Sequence, residues 1–496
     1  MAIITSSQYA NPNDAARFAR EGKLVQVVRG VYSDEVRKDP EQIVRENWLP
    51  IVAALMPGAV ITGRSAFTGQ PADGYLFVSH ARERPLILPG LTVVARKGLP
   101  AQSGDTELAQ GVYLASDERA LIDNTVPTRR RGAVPSATLA RDELHDRVVK
   151  LVTTRTGERI DRLLTSVQDY GLRTGAISGA EDVAVFFEAA RGERPTVESG
   201  SRAMQAAQHG RTFDTNRAAR FRALAEELSG LAPKVRFQKP GQAYQAFFEA
   251  YFSNFIEGTE FTVEEAARIA LEGTISEQRP ADAHDIAGTY RIVNDETEMS
   301  MTLPSFDDFA DALKRRHAAI MEGRPHLRPG RYKQGNNQAG GTLFVEHQLV
   351  EGTLHEGWRH LASITDPLAR AAYVMFLVSE VHPFTDGNGR AARIMMNGEL
   401  AQVGYTRIII PTILRGEYLS GLSGLTHNGR SAGLVSVLSF AQQYTAQMDF
   451  TEVNLATRML AATNAFIDPL TADSQGRRII LPNNLPSGWE FASPPT

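Results

Sequence analysis

The residues best suited to chemistry lie in one short run of the sequence, from His382 to Arg393. The run reads HPFTDGNGRAAR. His382 offers an imidazole that can act as a base near neutral pH, and Asp386 offers the hard carboxylate oxygen that Mg²⁺ prefers. Arg390 and Arg393 are three residues apart, so on a helix they share one face and can bind the same phosphate group. The combination predicts transfer chemistry at a phosphate.

Two glycines in the same run predict an anion-binding turn. Gly387 and Gly389 flank Asn388 and let the backbone turn successive N–H groups toward one point. The sequence ARIMMNGELAQVG that follows is helical in period, and the N-terminus of a helix favours a bound anion. An ordinary surface loop would explain each of these residues singly, but it explains their coincidence on one turn poorly.

The segment before this run predicts the element that positions the histidine. DPLARAAYVMFLVSEV has helical periodicity and is strongly apolar, which indicates a buried helix. Pro383 prevents that helix from continuing. We therefore expect the imidazole of His382 at a junction between a buried helix and a loop.

HPFTDGNGRAAR matches the Fic motif HPFx(D/N)GNGRxxR at each defining position, and the chain resembles Fic-domain proteins over about residues 200–465. Such enzymes transfer a nucleoside monophosphate, usually AMP from ATP with Mg²⁺, to a Ser, Thr or Tyr hydroxyl of a protein. The resemblance implies that His382 is the general base and Asp386 the Mg²⁺ ligand. It also implies a set of nucleotide-binding residues: Gly387, Asn388, Gly389, Arg390 and Arg393.

A second Fic-like motif lies upstream. SNFIEG, within YFSNFIEGTEFT, resembles the inhibitory motif (S/T)xxxE(G/N), with Ser253 and Glu257 at its defining positions. The separation of 125 residues (382 minus 257) is similar to that of the class whose inhibitory helix, here near 248–258, precedes the Fic core. Paired with Arg393, the Glu257 carboxylate would take the place of the nucleotide γ-phosphate and misalign the α-phosphate. The alternative is that Glu257 is an ordinary exposed residue of a helix with no inhibitory role.

Two more segments resemble parts of Fic proteins. GRYKQGNNQAGGTLFVEHQLVEGTL resembles the flap, a hairpin that holds the target as an added strand, and its target-facing residues would be Thr342, Leu343, Phe344, Val345 and Glu346. LRGEYLSGLSGL resembles a segment that often carries two adjacent tyrosines near the adenine. Only Tyr418 is present here, so a base other than adenine stays open.

The first 190 residues predict a separate α+β region. In residues 1–50 a short helix precedes alternating valines, a pattern that fits the helix and wing of a winged helix-turn-helix, and residues 51–190 alternate short apolar strands with turns before helices resume. GKLVQVVRGVYSD, PGAVITGRSAF and GVYLASDERALID resemble segments of AbiEi-like antitoxins and regulators. This resemblance implies DNA binding, with candidate backbone contacts at Arg17, Arg20, Lys23 and Arg29. The alternative is a solvated helix face.

Composition sets the outer bounds. With 496 residues, the chain is too long for one domain, so we expect the α+β region, a boundary within residues 191–204, a mainly α-helical Fic domain and an irregular tail over 469–496. The absence of cysteine excludes disulfides and thiol nucleophiles. A net charge of -4 argues against a chain-wide nucleic-acid footprint. No signal-like or membrane-spanning run is apparent, which predicts a cytoplasmic location.

These patterns predict an auto-inhibited protein adenylyltransferase that uses ATP and Mg²⁺, modifies a protein hydroxyl and could also remove the AMP group. The alternative is a DNA-binding, antitoxin-like regulator fused to a Fic toxin or sensor domain. A homo-oligomer is compatible with both. The target protein, the balance between transfer and removal, and the signal that displaces Glu257 are left open by the sequence.

Overall fold

The computed structural model describes residues 3–11, 13–109, 111–193, 197–230, 242–275 and 278–489. The chain divides into two compact units, Met1–Gly210 and Arg211–Thr496. The boundary expected within residues 191–204 lies shortly before this division.

The described residues of the first unit form two sheets. Their strands are β1 (Ile3–Thr5), β2 (Val25–Val28), β3 (Val31–Ser33), β4 (Val60–Ile61), β5 (Tyr75–Ser79), β6 (Leu86–Leu88), β7 (Leu91–Arg96), β8 (Thr106–Ala109) and β9 (Val112–Leu114). One sheet is three-stranded and antiparallel in the order β1-β3-β2, and the other is six-stranded and mixed in the order β6-β7-β5-β4-β9-β8, within which β5 and β7 are parallel to each other.

Helices flank these sheets and complete the unit. Its core joins α2 to both sheets through buried aliphatic side chains such as Val31, Ile51 and Val93. The helices are α1 (Asn13–Arg20), α2 (Pro40–Leu55), α3 (Asp117–Asp123), α4 (Arg141–Thr154), α5 (Gly157–Thr174), α6 (Ile177–Ala190) and α7 (Arg202–Gln208). The α+β character predicted for this region is confirmed.

The predicted helix and hairpin near the N-terminus are present as α1 and β2–β3. Two of the four candidate DNA-contacting cations on and after α1 form local ion pairs. Arg17 pairs with Asp14 at 3.1 Å, and Lys23 pairs with Glu21 at 2.8 Å. Such exposed pairs are weak, but they lower the local positive charge that a phosphate backbone would meet. The winged helix-turn-helix assignment stays a prediction.

The second unit is mainly α-helical, as predicted for this region. Its only strands within the described residues form one short hairpin, β10 (Gln338–Ala339) with β11 (Thr342–Leu343). The helices are α8 (Thr215–Ser229), α9 (Gln245–Ile256), α10 (Val263–Glu272), α11 (Pro280–Val293), α12 (Glu296–Met299), α13 (Phe306–Ile320), α14 (Val350–Trp358), α15 (Pro367–Val381), α16 (Asn388–Ala401), α17 (Arg415–Asn428), α18 (Ala432–Gln447), α19 (Val453–Ala462) and α20 (Pro469–Ser474).

Helix α15 forms the centre of the second unit. Every side chain from Ala371 to Val378 is at most 2% exposed, and the helix packs along α16 and against α8, α14 and α18. A helix that is apolar on all sides must be surrounded by other elements. Because both ends of the HPFTDGNGRAAR run are attached to the buried pair α15 and α16, the run itself is held in a fixed place.

The C-terminal segment differs from the expectation of an irregular tail over residues 469–496. Residues 469–474 form α20, which begins at Pro469 after Asp468 accepts hydrogen bonds from the N–H groups of Leu470 and Thr471. Ala472 is 2% exposed within the core. An Asp-Pro start signal and one buried alanine therefore outweigh the surrounding Gly, Ser and Asn residues. Residues 490–496 lie outside the described part.

Among the residues that the structure describes, no helix combines the length and the apolar character needed to span a membrane.

Candidate active site

His382 stands at the end of α15, as predicted. The helix begins at Pro367 after the N-cap Asp366, and it is closed by a hydrogen bond from the His382 N–H to the Val378 carbonyl at 3.0 Å. His382 itself has φ 52° and ψ 60°, a left-handed conformation that is uncommon for a residue other than glycine. Pro383 disfavours the α conformation at the residue before it. The strained backbone therefore fixes the direction in which the imidazole leaves the helix.

The His382 ring is held in one tautomer. Its Nδ1 donates to the Ser379 carbonyl at 3.2 Å, and a carbonyl can only accept, so Nε2 carries the free lone pair. The ring stacks on Phe344 with 3.7 Å between centroids and 6° between planes. Burial lowers the pKa of His382 to about 4, with nearby Lys333 adding to the decrease. The imidazole is thus neutral at physiological pH and ready to accept a proton at Nε2.

The loop after His382 is organised by Asn388. Its Oδ1 accepts the Phe384 N–H at 2.8 Å, and its Nδ2 donates to the Phe384 carbonyl at 3.0 Å. The sequence predicts that Asn388 contacts a phosphate, but in this structure both ends of its amide hold the loop backbone. Gly387 has φ 74° at the N-cap of α16, and the first N–H groups of that helix have no intrahelical partner. The predicted anion-binding turn is therefore supplied by backbone rather than by the Asn388 side chain.

Arg393 and Glu257 meet at the start of α16. Arg393 pairs with the Glu257 carboxylate at 2.7 Å and donates to the hydroxyl and the carbonyl of Ser253, at 3.0 and 2.7 Å. A Cβ on Gly389 would lie 2.2 Å from Glu257 Oε1. Only a glycine leaves room for this carboxylate over the first turn of α16. Glu257 thus occupies the position where a helix N-terminus and an arginine would otherwise receive an anion.

Arg390 differs from its predicted role. It is 4% exposed and pairs with Asp285 at 2.5 Å, while Asn254 accepts a second hydrogen bond at 3.2 Å. A buried guanidinium needs a carboxylate because its desolvation is costly. In this structure Arg390 therefore ties α16 to α11 and α9 and does not share a ligand with Arg393.

Tyr418, the predicted base contact, also differs from expectation. The residue is 1% exposed, and its hydroxyl is hydrogen-bonded with Arg393. Burial raises the pKa of Tyr418. Its ring has no open face on which a nucleobase could stack, so in this structure it supports Arg393.

The predicted flap residues lie on β11 and directly after it. Leu343 is 66% exposed and Glu346 is exposed, whereas Val345 is fully buried, which removes it from the predicted target-facing set. The Thr342 hydroxyl is 3.0 Å from His427 Nε2. Phe344, the residue directly after β11, faces inward and stacks on the His382 ring.

Asp386 is exposed, and its Oδ1 accepts the Gly387 N–H at 2.7 Å. Among the described residues no group of three or more His, Asp or Glu side chains could hold a metal by itself. One exposed carboxylate suits Mg²⁺, which keeps waters and takes phosphate oxygens as its other ligands. The donor set therefore fits a metal that arrives with a nucleotide.

His317 is a buried residue beneath the site that sequence reasoning missed. It is fully buried, stacks on Phe384 at 3.6 Å, donates from Nε2 to the Asp386 carbonyl at 2.9 Å and accepts the Gly330 N–H at Nδ1 at 3.0 Å. Both bonds exist together only in the neutral tautomer. Burial lowers the pKa of His317 to about 4. No local sequence signal marks it, because its partners are distant in the chain.

This burial predicts acid sensitivity. Unfolded His317 would take up a proton near its reference pKa of about 6.5, whereas the folded residue does so only near pH 4, so the free energy of unfolding falls as pH decreases between these values. The contribution of His317 to this loss of unfolding free energy is at most about 3.5 kcal/mol, at about 1.36 kcal/mol per pKa unit. The free energy of unfolding, measured with urea between pH 7 and 4.5, should decrease less steeply in His317→Gln than in the parent. His326→Gln, at an exposed position, should match the parent. Equal slopes in all three proteins would contradict the prediction.

Residues 306–400 match the family model of the Fic/DOC family. This range holds α13, the hairpin, α15, the complete HPFTDGNGRAAR run and most of α16. The chain contains a Fic domain. Similar curated proteins include protein adenylyltransferase Fic of Drosophila persimilis, 31% identical over 185 residues, and protein adenylyltransferase fic-1 of Caenorhabditis elegans, 25% identical over 185 residues.

The chain spans about a third of the length of these curated relatives. The matches cover 35% and 36% of the two relatives, and the same shares of this chain. A crystal structure of a Fic-domain-containing signaling protein from Bacteroides thetaiotaomicron aligns with a TM-score of 0.36 and 18% identity, covering 47% of this chain and 96% of that one. The motif and the family match together place the Fic domain in the second unit.

Proposed function

We propose that the chain is an auto-inhibited protein adenylyltransferase that transfers AMP from ATP to a Ser, Thr or Tyr hydroxyl of another protein. The observation that carries this proposal is the neutral His382, whose Nδ1 is bonded to the Ser379 carbonyl so that Nε2 is the basic nitrogen. A positioned base of this kind next to a helix N-terminus suits attack of a hydroxyl on a phosphate. The similarity to proteins named adenylyltransferases supports AMP as the transferred group.

In the transfer step, the target hydroxyl oxygen attacks the α-phosphorus of ATP. Its proton passes to His382 Nε2, the bond between the α-phosphorus and the bridging oxygen breaks, and pyrophosphate leaves. The product is a phosphodiester between the target side chain and AMP, and no covalent enzyme intermediate is required. His382 then returns its proton to solvent or to the pyrophosphate.

The chain contributes electrostatic stabilisation of the phosphates. The N–H groups in the first turn of α16 and the Arg393 guanidinium converge where Glu257 now lies, and such donors stabilise charge that spreads over phosphate oxygens. Asp386 would hold Mg²⁺, which when bound supplies a Lewis acid that neutralises charge on the phosphates. Arg390, by holding α16 through Asp285, would fix the direction of this helix N-terminus.

Glu257 would act as the brake. Its carboxylate already satisfies Arg393 and covers the first turn of α16, so a nucleotide phosphate must either displace it or bind elsewhere. A phosphate held elsewhere would leave the α-phosphorus out of line with the target hydroxyl, and small misplacements cost rate steeply. Ser253 would support this inhibited arrangement, because its hydroxyl accepts a hydrogen bond from Arg393.

The target would add as a strand to β11. An added strand gains backbone hydrogen bonds from an exposed edge, and Leu343 presents an exposed apolar side chain there. The contact between Phe344 and His382 would place the modified hydroxyl near Nε2. Removal of AMP by water could use the same residues, with Glu257 orienting the water, and this is the second reaction to test.

The proposal is tested by mass spectrometry. A Glu257→Gly variant, incubated with ATP, Mg²⁺ and lysate, is expected to add AMP to a Ser, Thr or Tyr of at least one protein. The same incubation with Glu257→Gly/His382→Asn should add at least about 100-fold less. The purified modified target, returned to the parent protein without ATP, then shows whether AMP is removed. Absence of any AMP adduct, on lysate proteins and on the variant itself, would refute adenylyl transfer.

DNA binding by residues 1–190 remains a separate prediction. The local pairing of Arg17 and Lys23 does not favour it. A gel shift with the full chain and with Arg17→Ala/Arg20→Ala decides the matter, because phosphate contacts by these residues require affinity that falls with salt and with the substitutions.

A further inference from the structure

The β10–β11 hairpin is too small to hold its own position. Each strand has two residues, and their register pairs Ala339 with Thr342 and Gln338 with Leu343. Isolated two-stranded hairpins are at best marginally stable in water. Contacts from other elements must therefore fix the edge that a target strand would use.

Arg217, on α8, supplies such a contact. Its guanidinium donates to the Leu343 carbonyl at 2.5 Å, to Glu380 at 3.2 Å and to Asp214 at 3.3 Å. The Glu380 side chain is 1% exposed. Asp214 is also the N-cap of α8, since it accepts the Arg217 N–H at 3.0 Å. The carboxylates of Asp214 and Glu380 thus orient the guanidinium that also bonds the hairpin.

Glu380 links this contact to the proposed base. It lies on α15, two residues before His382, and its second oxygen accepts the Thr426 hydroxyl at 2.7 Å. A guanidinium bonded to both the Glu380 side chain and the Leu343 backbone sets the separation between α15 and β11. This separation determines how far a target hydroxyl held on β11 lies from the His382 imidazole at the end of α15.

The Leu343 carbonyl faces the outer edge of the hairpin. The backbone of Thr342 pairs toward Ala339, and the Phe344 N–H donates to the Asn337 carbonyl at 3.3 Å. Successive residues of a strand direct their backbone polar groups to opposite sides, so the groups of Leu343 point away from β10. A carbonyl oxygen has two lone pairs, which leaves one for a target strand beside the Arg217 bond.

From this network we propose that Arg217 is a positioning residue for the protein target, holding β11 at a fixed distance from α15 without touching the nucleotide. The inference rests on the proposed function for its effect on catalysis. Its structural part, that Arg217 fixes the hairpin, is independent of the reaction.

Arg220 provides a matched control. It lies one turn along α8 and also pairs with Glu380, but its hydrogen bond goes to that carboxylate and not to the hairpin. Arg217→Met and Arg220→Met each remove one cation from Glu380 and keep an unbranched side chain. A difference between them reports the bonds that only Arg217 makes, to the Leu343 carbonyl and to Asp214, separately from the loss of a cation beside Glu380.

The test compares both variants in the Glu257→Gly background. Hydrogen exchange of the peptide covering residues 336–346 should be about tenfold faster in Arg217→Met than in Arg220→Met, and KM for the protein target about tenfold higher, as expected for loss of a charge-assisted hydrogen bond. The affinity for ATP should be the same in both. Equal exchange and equal KM in the two variants, or a lower KM in Arg217→Met, would overturn the inference. An inactive Glu257→Gly parent would instead refute the proposed function, and the exchange data would still decide the role of Arg217.

Discussion

Replacing His382 is expected to reduce AMP transfer by about 10²–10⁴-fold, the usual contribution of a positioned general base. The expectation follows from the tautomer: Nδ1 is bonded to the Ser379 carbonyl, so the acceptor nitrogen is Nε2. The rate of AMP incorporation at saturating ATP and target, measured in the Glu257→Gly background, reports the loss. Burial lowers the pKa of His382 to about 4. The rate of the Glu257→Gly protein that keeps His382 should therefore not change between pH 8 and about pH 5.

The choice of replacement matters because His382 has a left-handed backbone. Alanine in that conformation costs roughly 1–2 kcal/mol, whereas asparagine adopts it more readily. His382→Asn therefore removes the base with little change in stability, and His382→Ala serves as the comparison. If His382→Asn folds, binds ATP and keeps more than a tenth of the parent rate, the imidazole is not the base.

Replacing Glu257 is expected to raise the transfer rate by about 10–100-fold. The Arg393–Glu257 bond is charge-assisted, and bonds of this kind contribute roughly 1.5–3 kcal/mol. In Glu257→Gly, Arg393 keeps its hydrogen bonds to Ser253, and the N–H group that bonded Glu257 becomes available to a phosphate. The initial rate with saturating target and ATP gives the measurement.

Glu257→Gln separates charge from size. It keeps a similar side chain over the first turn of α16 but cannot form the ion pair, so its rate should fall between those of the parent and Glu257→Gly. Glu260→Gln, at a nearby exposed position, should behave as the parent. A parent chain as active as Glu257→Gly would show that the Arg393–Glu257 pair does not restrain the enzyme.

The parts of the site that the sequence predicts are those set by local signals. Asp366 and Pro367 start α15, Pro383 ends it, and two glycines shape the turn before α16, so the position of His382 follows from a few neighbouring residues. The contact between Glu257 and Arg393 is implied by the resemblance of SNFIEG to the inhibitory motif, and the four-residue spacing only places Ser253 and Glu257 on one helical turn.

The parts that sequence reasoning missed depend on partners far apart in the chain. Arg390 pairs with Asp285, which lies 105 residues earlier (390 minus 285), and nothing near Arg390 indicates that a buried carboxylate neutralises it. The same holds for His317 beneath Asp386 and for Arg217 beside Leu343. The resemblance of LRGEYLSGLSGL to a Fic segment with tyrosines near the adenine places Tyr418 beside a base, but its burial depends on how α17 packs over Arg393.

The stacking of Phe344 on His382 has a consequence for thermal fluctuations. Phe344 follows β11 directly, and Arg217 joins β11 to the helix that carries His382. These contacts therefore couple the position of the hairpin to that of the imidazole. For a hydroxyl presented on β11, the motions of the proton donor and the proton acceptor would be correlated, and the gap between them would vary less than the position of either one.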